Sequence, residues 1–111
     1  MSAPVPPPPA GTPAALGFRM PAEWEPHAAT WLTWPHNLAS WPGKFAPVPD
    51  FWVRMVAALA PGERVEVLVR DEAMRADVDA RLRAAAVAMA QVRLHVIPSN
   101  DAWMRDHGPT F

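Results

Sequence analysis

Three features of the sequence predict an α/β fold in the order β-α-β-α-β. Short β-favouring or almost wholly apolar runs recur at 28–34, 65–69 and 92–97, and apolar residues at helical spacing fill both intervals between them. Proline or glycine punctuates the junctions. Strands joined by helical crossovers lie parallel, with right-handed connections.

The first strand rests on Trp31, Leu32 and Trp34, interleaved with threonines and stopped by Pro35. Residues 35–49 carry four prolines and one glycine, which predicts an ordered loop. Asp50 stands where a helix N-cap belongs, ahead of Trp52, Met55, Val56 and Leu59 at helical spacing. Pro61-Gly62 ends that helix. Val65-Glu66-Val67-Leu68-Val69 is short and nearly all apolar, as a strand buried on both faces requires. Asp71 caps the second helix, whose stripe of Met74, Val78, Leu82, Ala85, Ala86 and Met89 reads as continuous. Its other face offers the i,i+4 pairs Arg75–Asp79, Asp77–Arg81 and Asp79–Arg83, a solvated surface. Val92, Leu94, Val96 and Ile97 form the last strand, ended by Pro98. Two helices cannot cover both faces of a three-stranded parallel sheet, so exposed apolar surface is expected.

Composition narrows the function. The chain has 111 residues, too few for more than one domain, with 10 basic and 11 acidic side chains. That balance argues against a polybasic nucleic-acid or membrane-surface binder, and no apolar run reaches the ~18 residues of a membrane helix. Six of the 15 prolines lie in the first 17 residues, with Ala, Gly and Thr. This predicts a disordered or polyproline-II tail over 1–17 and a globular part over 18–111. The tail lacks the basic start and apolar core of a signal peptide, which points to the cytoplasm. With no cysteine, the chain has no disulfide, thiolate metal site or cysteine nucleophile of its own. It stops just after Gly108-Pro109 without a polar tail, as a truncated chain would.

Ligands of open α/β sheets bind at the carboxyl ends of the strands. Pro35-His36-Asn37 reaches that edge, and so does 99–108, the densest polar cluster in the chain, with Asp101, Trp103, Arg105, Asp106 and His107. On spacing alone this cluster equally describes a loop whose Asn and Asp satisfy its own turns. Trp24, Trp31, Trp34, Trp41 and Trp52 are read as packing residues, His27 as a hydrogen-bonded structural histidine, and His95 as solvated. No GxGxxG or GxxxxGK[ST] pattern is present, so Lys44 is not a phosphate-binding lysine. His36, Asp101, Asp106 and His107 have nitrogen and oxygen ligand atoms, but no metal-site spacing, and no metal is expected.

Two stretches are longer and more unusual than these patterns. GFRMPAEWEPHAATWLTWPHN (17–37) with WPGKFAPVP (41–49), and IPSNDAWMRDHGPTF (97–111), resemble the N-terminal part of the agmatine deiminase and bacterial peptidyl-arginine deiminase family. The resemblance covers nearly all of 17–111; the middle matches in pattern only. It implies a partial pentein fold, a piece of an α/β propeller of five blades, so that 18–111 would be the N-terminal part of a truncated catalytic domain. It implies hydrolysis of agmatine to N-carbamoylputrescine and ammonia, on the route to putrescine, without metal or organic cofactor. A cysteine would attack the guanidinium carbon and water would resolve the thioether; that cysteine, and the proton-shuttling histidine, lie later in the family's chain. The isolated chain should therefore be inactive.

One functional position carries over directly. The family's NDxWxRDxGP stretch is 100–109 here, and Asp106 resembles the carboxylate that holds the guanidinium. Chemistry agrees, because a carboxylate accepts two parallel N–H bonds from that group and fixes its plane. Trp103 fits a wall beside the substrate. Asp101 and Arg105 suit loop ordering, with Asp101 also a candidate for substrate contact. His107 departs from the small hydroxyl residue expected there. The expected partner is a small guanidinium compound, with no nucleic acid or membrane and a homo-oligomer open to the full-length protein. Two alternatives stand beside agmatine deimination: peptidyl- or free-arginine deimination, and a non-catalytic cation-binding module.

Overall fold

Three parallel strands carry the architecture in a computed structural model that describes residues 2–108. They are β1 (Ala29–Thr33), β2 (Arg64–Val69) and β3 (Val92–Val96), with β2 central and the order β1-β2-β3. Helix α1 (Val48–Leu59) joins β1 to β2, and α2 (Glu72–Ala84) joins β2 to β3. A one-turn helix, α3 (Met104–His107), follows. Register pairs Trp31 with Glu66 and Leu32 with Val67 on one side of β2, and Val67 with Leu94 and Leu68 with His95 on the other. The predicted element order and parallel pairing are both present.

Successive crossovers of one hand along an unreversed strand order place α1 and α2 on the same face. The core forms there. Val65, Val67 and Val69 of β2 pack with Val56 and Ala60 from α1 and with Val78 and Leu82 from α2, all at 1% exposure or less. Each such valine or leucine contributes about 1.5–3 kcal/mol when fully buried. Trp34 and Val87 close the ends of this core. Asp71 caps α2 as expected, its side chain accepting the Met74 N–H at 2.8 Å.

Several expectations need correction. Helix α1 begins at Val48 with Pro47 as its N-cap, so Asp50 lies in the first turn instead of capping it. Pro49 falls in that turn, where a missing N–H costs nothing, which lets the helix start inside the proline-rich stretch. Helix α2 stops at Ala84, and Ala85, Ala86 and Met89 do not extend it. The chain leaves through Ala86 at φ 56°, with Ala86 N–H bonding Arg83 O at 3.0 Å and Val87 N–H bonding Leu82 O at 3.1 Å. This is the Schellman closure of a helix, made here without glycine, and it turns Val87 into the core. On the helix surface Asp77–Arg81 (2.9 Å) and Asp79–Arg83 (2.8 Å) form as expected, whereas Arg75 lies 3.6 Å from Glu72 instead of pairing with Asp79.

The last correction concerns the face of the sheet without helices. His95 is not simply solvated: its Nε2 lies 2.7 Å from Glu66 Oε2, and its ring stacks on Trp31 at 5.4 Å. Glu66 is 3% exposed and also has Arg64 Nε at 3.3 Å. A carboxyl group that deep needs partners, and here they come from Arg64 on β2 itself and from His95 on β3. Of the tryptophans read as packing residues, Trp34 is buried but Trp24 is 89% exposed. His27 is hydrogen-bonded as expected, its Nε2 3.0 Å from Glu23 O; its Nδ1 sits 3.2 Å from Glu63 Oε2, an ion-pair distance without hydrogen-bond geometry. Apolar surface stays exposed at Phe51, Val96, Ile97 and Trp103. Residues 2–17 contain a 3-10 turn at Ala14–Leu16 and no buried side chain. No helix among the described residues is long and apolar enough to cross a membrane.

Candidate functional site

Pairing runs one residue past the strand ends. Trp34 N–H bonds Leu68 O, and Ile97 N–H bonds Val69 O, both at 2.9 Å. Two segments therefore leave the carboxyl edge side by side, flanking β2. The first contains a 3-10 turn, Leu38–Ser40, capped by Asn37, whose side chain accepts the Ala39 N–H at 3.0 Å. The second runs from Pro98 into α3.

Side chains tie the two segments together at successive positions. His36 Nε2 lies 3.5 Å from Ser99 Oγ, and Asn37 Nδ2 donates to Asn100 O at 3.3 Å. Ser40 donates its hydroxyl to Asp101 Oδ2. Trp41 meets Trp103 with ring centroids 5.5 Å apart, and edge-packs Trp52 at 6.0 Å. Trp52 is held in turn by an indole bond to Thr33 O at 3.0 Å. The loop is thus braced by groups it does not contain.

Asp101 anchors this arrangement. One of its oxygens receives Ser40 and the other accepts the Ala102 N–H at 2.8 Å. Hydrogen bonding from Ser40 is the main cause that holds its carboxyl below the usual aspartate range; burial pulls the other way, and Ala102 N–H, the Trp103 indole and nearby His36 add to the lowering. His107 Nε2 lies 3.1 Å from Asp101 O, so the same residue ties both ends of the turn. Ala102, between them, is buried.

Asp106 is placed differently. It projects from α3, exposed, with no hydrogen bond or ion pair to another described side chain, while its N–H is tied to Trp103 O at 3.0 Å. Together with Asp101, Trp103 and His107 it borders a hollow of about 650 Å³ above Leu68 and Ile97. Trp103, 49% exposed, also borders a second, aromatic hollow of about 590 Å³ with Trp41, Phe51 and Trp52. Gly108 closes α3: its N–H bonds Met104 O at 2.6 Å, and a Cβ there would lie 2.5 Å from that oxygen. Only glycine fits that approach.

An unpaired carboxylate beside an indole face suits a flat organic cation. In general a carboxylate can accept N–H bonds in such a cation's plane, and an indole can lie against an alkyl chain. Asp101 has the geometry of a loop anchor, since both its oxygens are engaged within the chain. Among the described residues Arg105 reaches Glu23 alone, at 3.4 Å and in full solvent, which carries little energy. Among the described residues no three His, Cys, Asp or Glu side chains converge as a metal site would need. Sequence reasoning located Asp101, Trp103 and Asp106 at this edge and read Trp41 as a packing residue, as its ring contacts bear out, but passed over Ser40, whose partner lies 61 residues away.

Sequence comparison places the chain among the deiminases. The chain is a member of the Porphyromonas-type peptidyl-arginine deiminase family, whose model matches residues 19–111. It is 40% identical over 106 residues to the agmatine deiminase of Pseudomonas aeruginosa strain LESB58, covering 93% of this chain and 26% of that protein. The agmatine deiminases of Ectopseudomonas mendocina strain ymp (40% over 100 residues) and Stutzerimonas stutzeri strain A1501 (39% over 102) each match 90% of this chain and 26% of their own length. The chain thus spans about a quarter of the length of the curated relatives it matches.

Proposed function

We propose that this chain supplies the guanidinium grip of an agmatine deiminase, with Asp106 as the gripping carboxylate and Trp103 as the wall beside the substrate's alkyl chain. The observation that carries the reading is an exposed, internally unengaged Asp106 next to Trp103 in a hollow at the carboxyl edge of the sheet. Two parallel bonds from a guanidinium to that carboxylate hold the CN3 plane, leaving its carbon open to attack from one face. The nucleophile comes from outside these residues, which contain no cysteine. Cysteine attack expels ammonia, and water then releases the carbamoyl product. The sheet and its two helices would form part of a pentein propeller working in the cytoplasm on a small substrate of polyamine synthesis.

Peptidyl-arginine is the second reading, favoured by the description of the matched family. Turnover of agmatine against arginine peptides, by the polypeptide of the complete reading frame, decides between them. Within that polypeptide Asp106→Asn removes one of two charge-assisted bonds, each worth about 1.5–3 kcal/mol, a loss of roughly ten- to a hundred-fold in kcat/KM. Unchanged substrate capture and turnover would refute the grip. The 111-residue chain alone should release no ammonia from agmatine; turnover by it would overturn the cysteine route.

A further inference from the structure

We propose that Ser40 is a positioning residue for the guanidinium grip: through Asp101 it sets where the turn bearing Trp103 and Asp106 stands. This rests on the reading of Asp106 given above. The turn cannot hold itself in place. Helix α3 is four residues long with no buried side chain, and its N-cap Trp103 makes no capping bond. What fixes it is Asp101, engaged by Ala102 N–H on one oxygen and by Ser40 on the other, with His107 returning to Asp101 O. The Ala102 and His107 contacts lie within the turn and can move with it. The Ser40 bond is different, because it ties the carboxylate to the segment that follows β1.

The other cross-ties are weaker guides. His36–Ser99 is 3.5 Å, at the limit of a hydrogen bond, and Asn37 reaches a backbone oxygen at 3.3 Å. Trp41 and Trp103 meet as a tilted ring pair, 5.5 Å between centroids with 35° between planes, a contact less directional than a hydrogen bond. A bond from a hydroxyl to an ionised carboxylate is both directional and stronger than a neutral one. Ser40 therefore supplies the orientation, and the ring contact supplies the depth.

The test uses the polypeptide of the complete reading frame with agmatine. Ser40→Ala should lower kcat/KM by roughly ten-fold or more, the scale of a lost charge-assisted hydrogen bond, chiefly through KM. Ser40→Thr keeps the hydroxyl and should restore most of the activity. The double variant Ser40→Ala/Asp101→Ala should be no worse than Asp101→Ala alone, since both remove one link. A purely structural role predicts otherwise: a fall in the folded fraction that tracks the activity, additive effects, and no rescue by threonine. Any of those results, or an unchanged Ser40→Ala, overturns the proposal. If Asp106→Asn impairs the enzyme while Ser40→Ala does not, only the positioning role fails; if Asp106→Asn is silent, the grip and this role fail together.

Discussion

Replacing Ala86 with glycine should make the protein more stable, although glycine ordinarily weakens helices. Ala86 ends α2 at φ 56°, a left-handed conformation that costs a residue with a Cβ roughly 1–2 kcal/mol. Its side chain is exposed, so truncation loses no packing. Against the relief stands the greater freedom of glycine in the unfolded chain, roughly 0.5–1 kcal/mol. The difference is a gain of about 0–1.5 kcal/mol, with a midpoint of about 0.75 kcal/mol. Ala80, exposed in the middle of the same helix, provides the control: Ala80→Gly should lose about 1 kcal/mol. Urea unfolding followed by circular dichroism measures both, provided the slopes agree between variants. The two substitutions are chemically identical and should differ in sign. If both destabilise equally, the left-handed closure at Ala86 is not what turns Val87 into the core.

Two further outcomes concern the site. Gly108→Ala puts a Cβ 2.5 Å from Met104 O, inside the 3.0 Å that real Cβ atoms essentially never breach, so the α3 turn must open. Because α3 buries nothing, the melting temperature should barely move while kcat/KM for agmatine falls; equal loss of both, or of neither, contradicts this. Acid stability should report the Ser40–Asp101 bond. The folded-state pKa of Asp101 is depressed, so its contribution is complete above the ordinary aspartate value of 3.8 and is lost as pH falls from there through the folded value. Ser40→Ala should make that acid-side decline shallower, as read from stability measured along a pH series.

What the sequence reveals, and what it hides, follows the range of the forces involved. The strands at β2 and β3 and the cap at Asp71 depend on neighbours within a few residues, and each is where the pattern puts it. The position of Asp106 and Trp103 at the carboxyl edge was legible because the stretch that carries them is contiguous and follows the last strand. The end of α2 was hidden because its closure uses alanine where glycine is the usual signal. The start of α1 was obscured by prolines that read as loop but also suit a first helical turn. His95 alternates out of the apolar pattern of β3, and only pairing with β2 brings it to Glu66, 29 positions away. Ser40 sits in an unremarkable Leu-Ala-Ser-Trp stretch, and its bond exists only once Asp101, 61 residues on, is brought beside it.

The braces between the segments after β1 and β3 also constrain timing. Their partners are 61 to 63 residues apart in sequence, yet they meet only across β2. Closing so long a loop costs entropy before any contact rewards it, and parallel pairing of distant strands is slow. The helices can form from local contacts while the chain still lacks a recognition edge. The cross-ties at the carboxyl edge should therefore form late in folding, after the third strand has docked and well after helical signal has saturated.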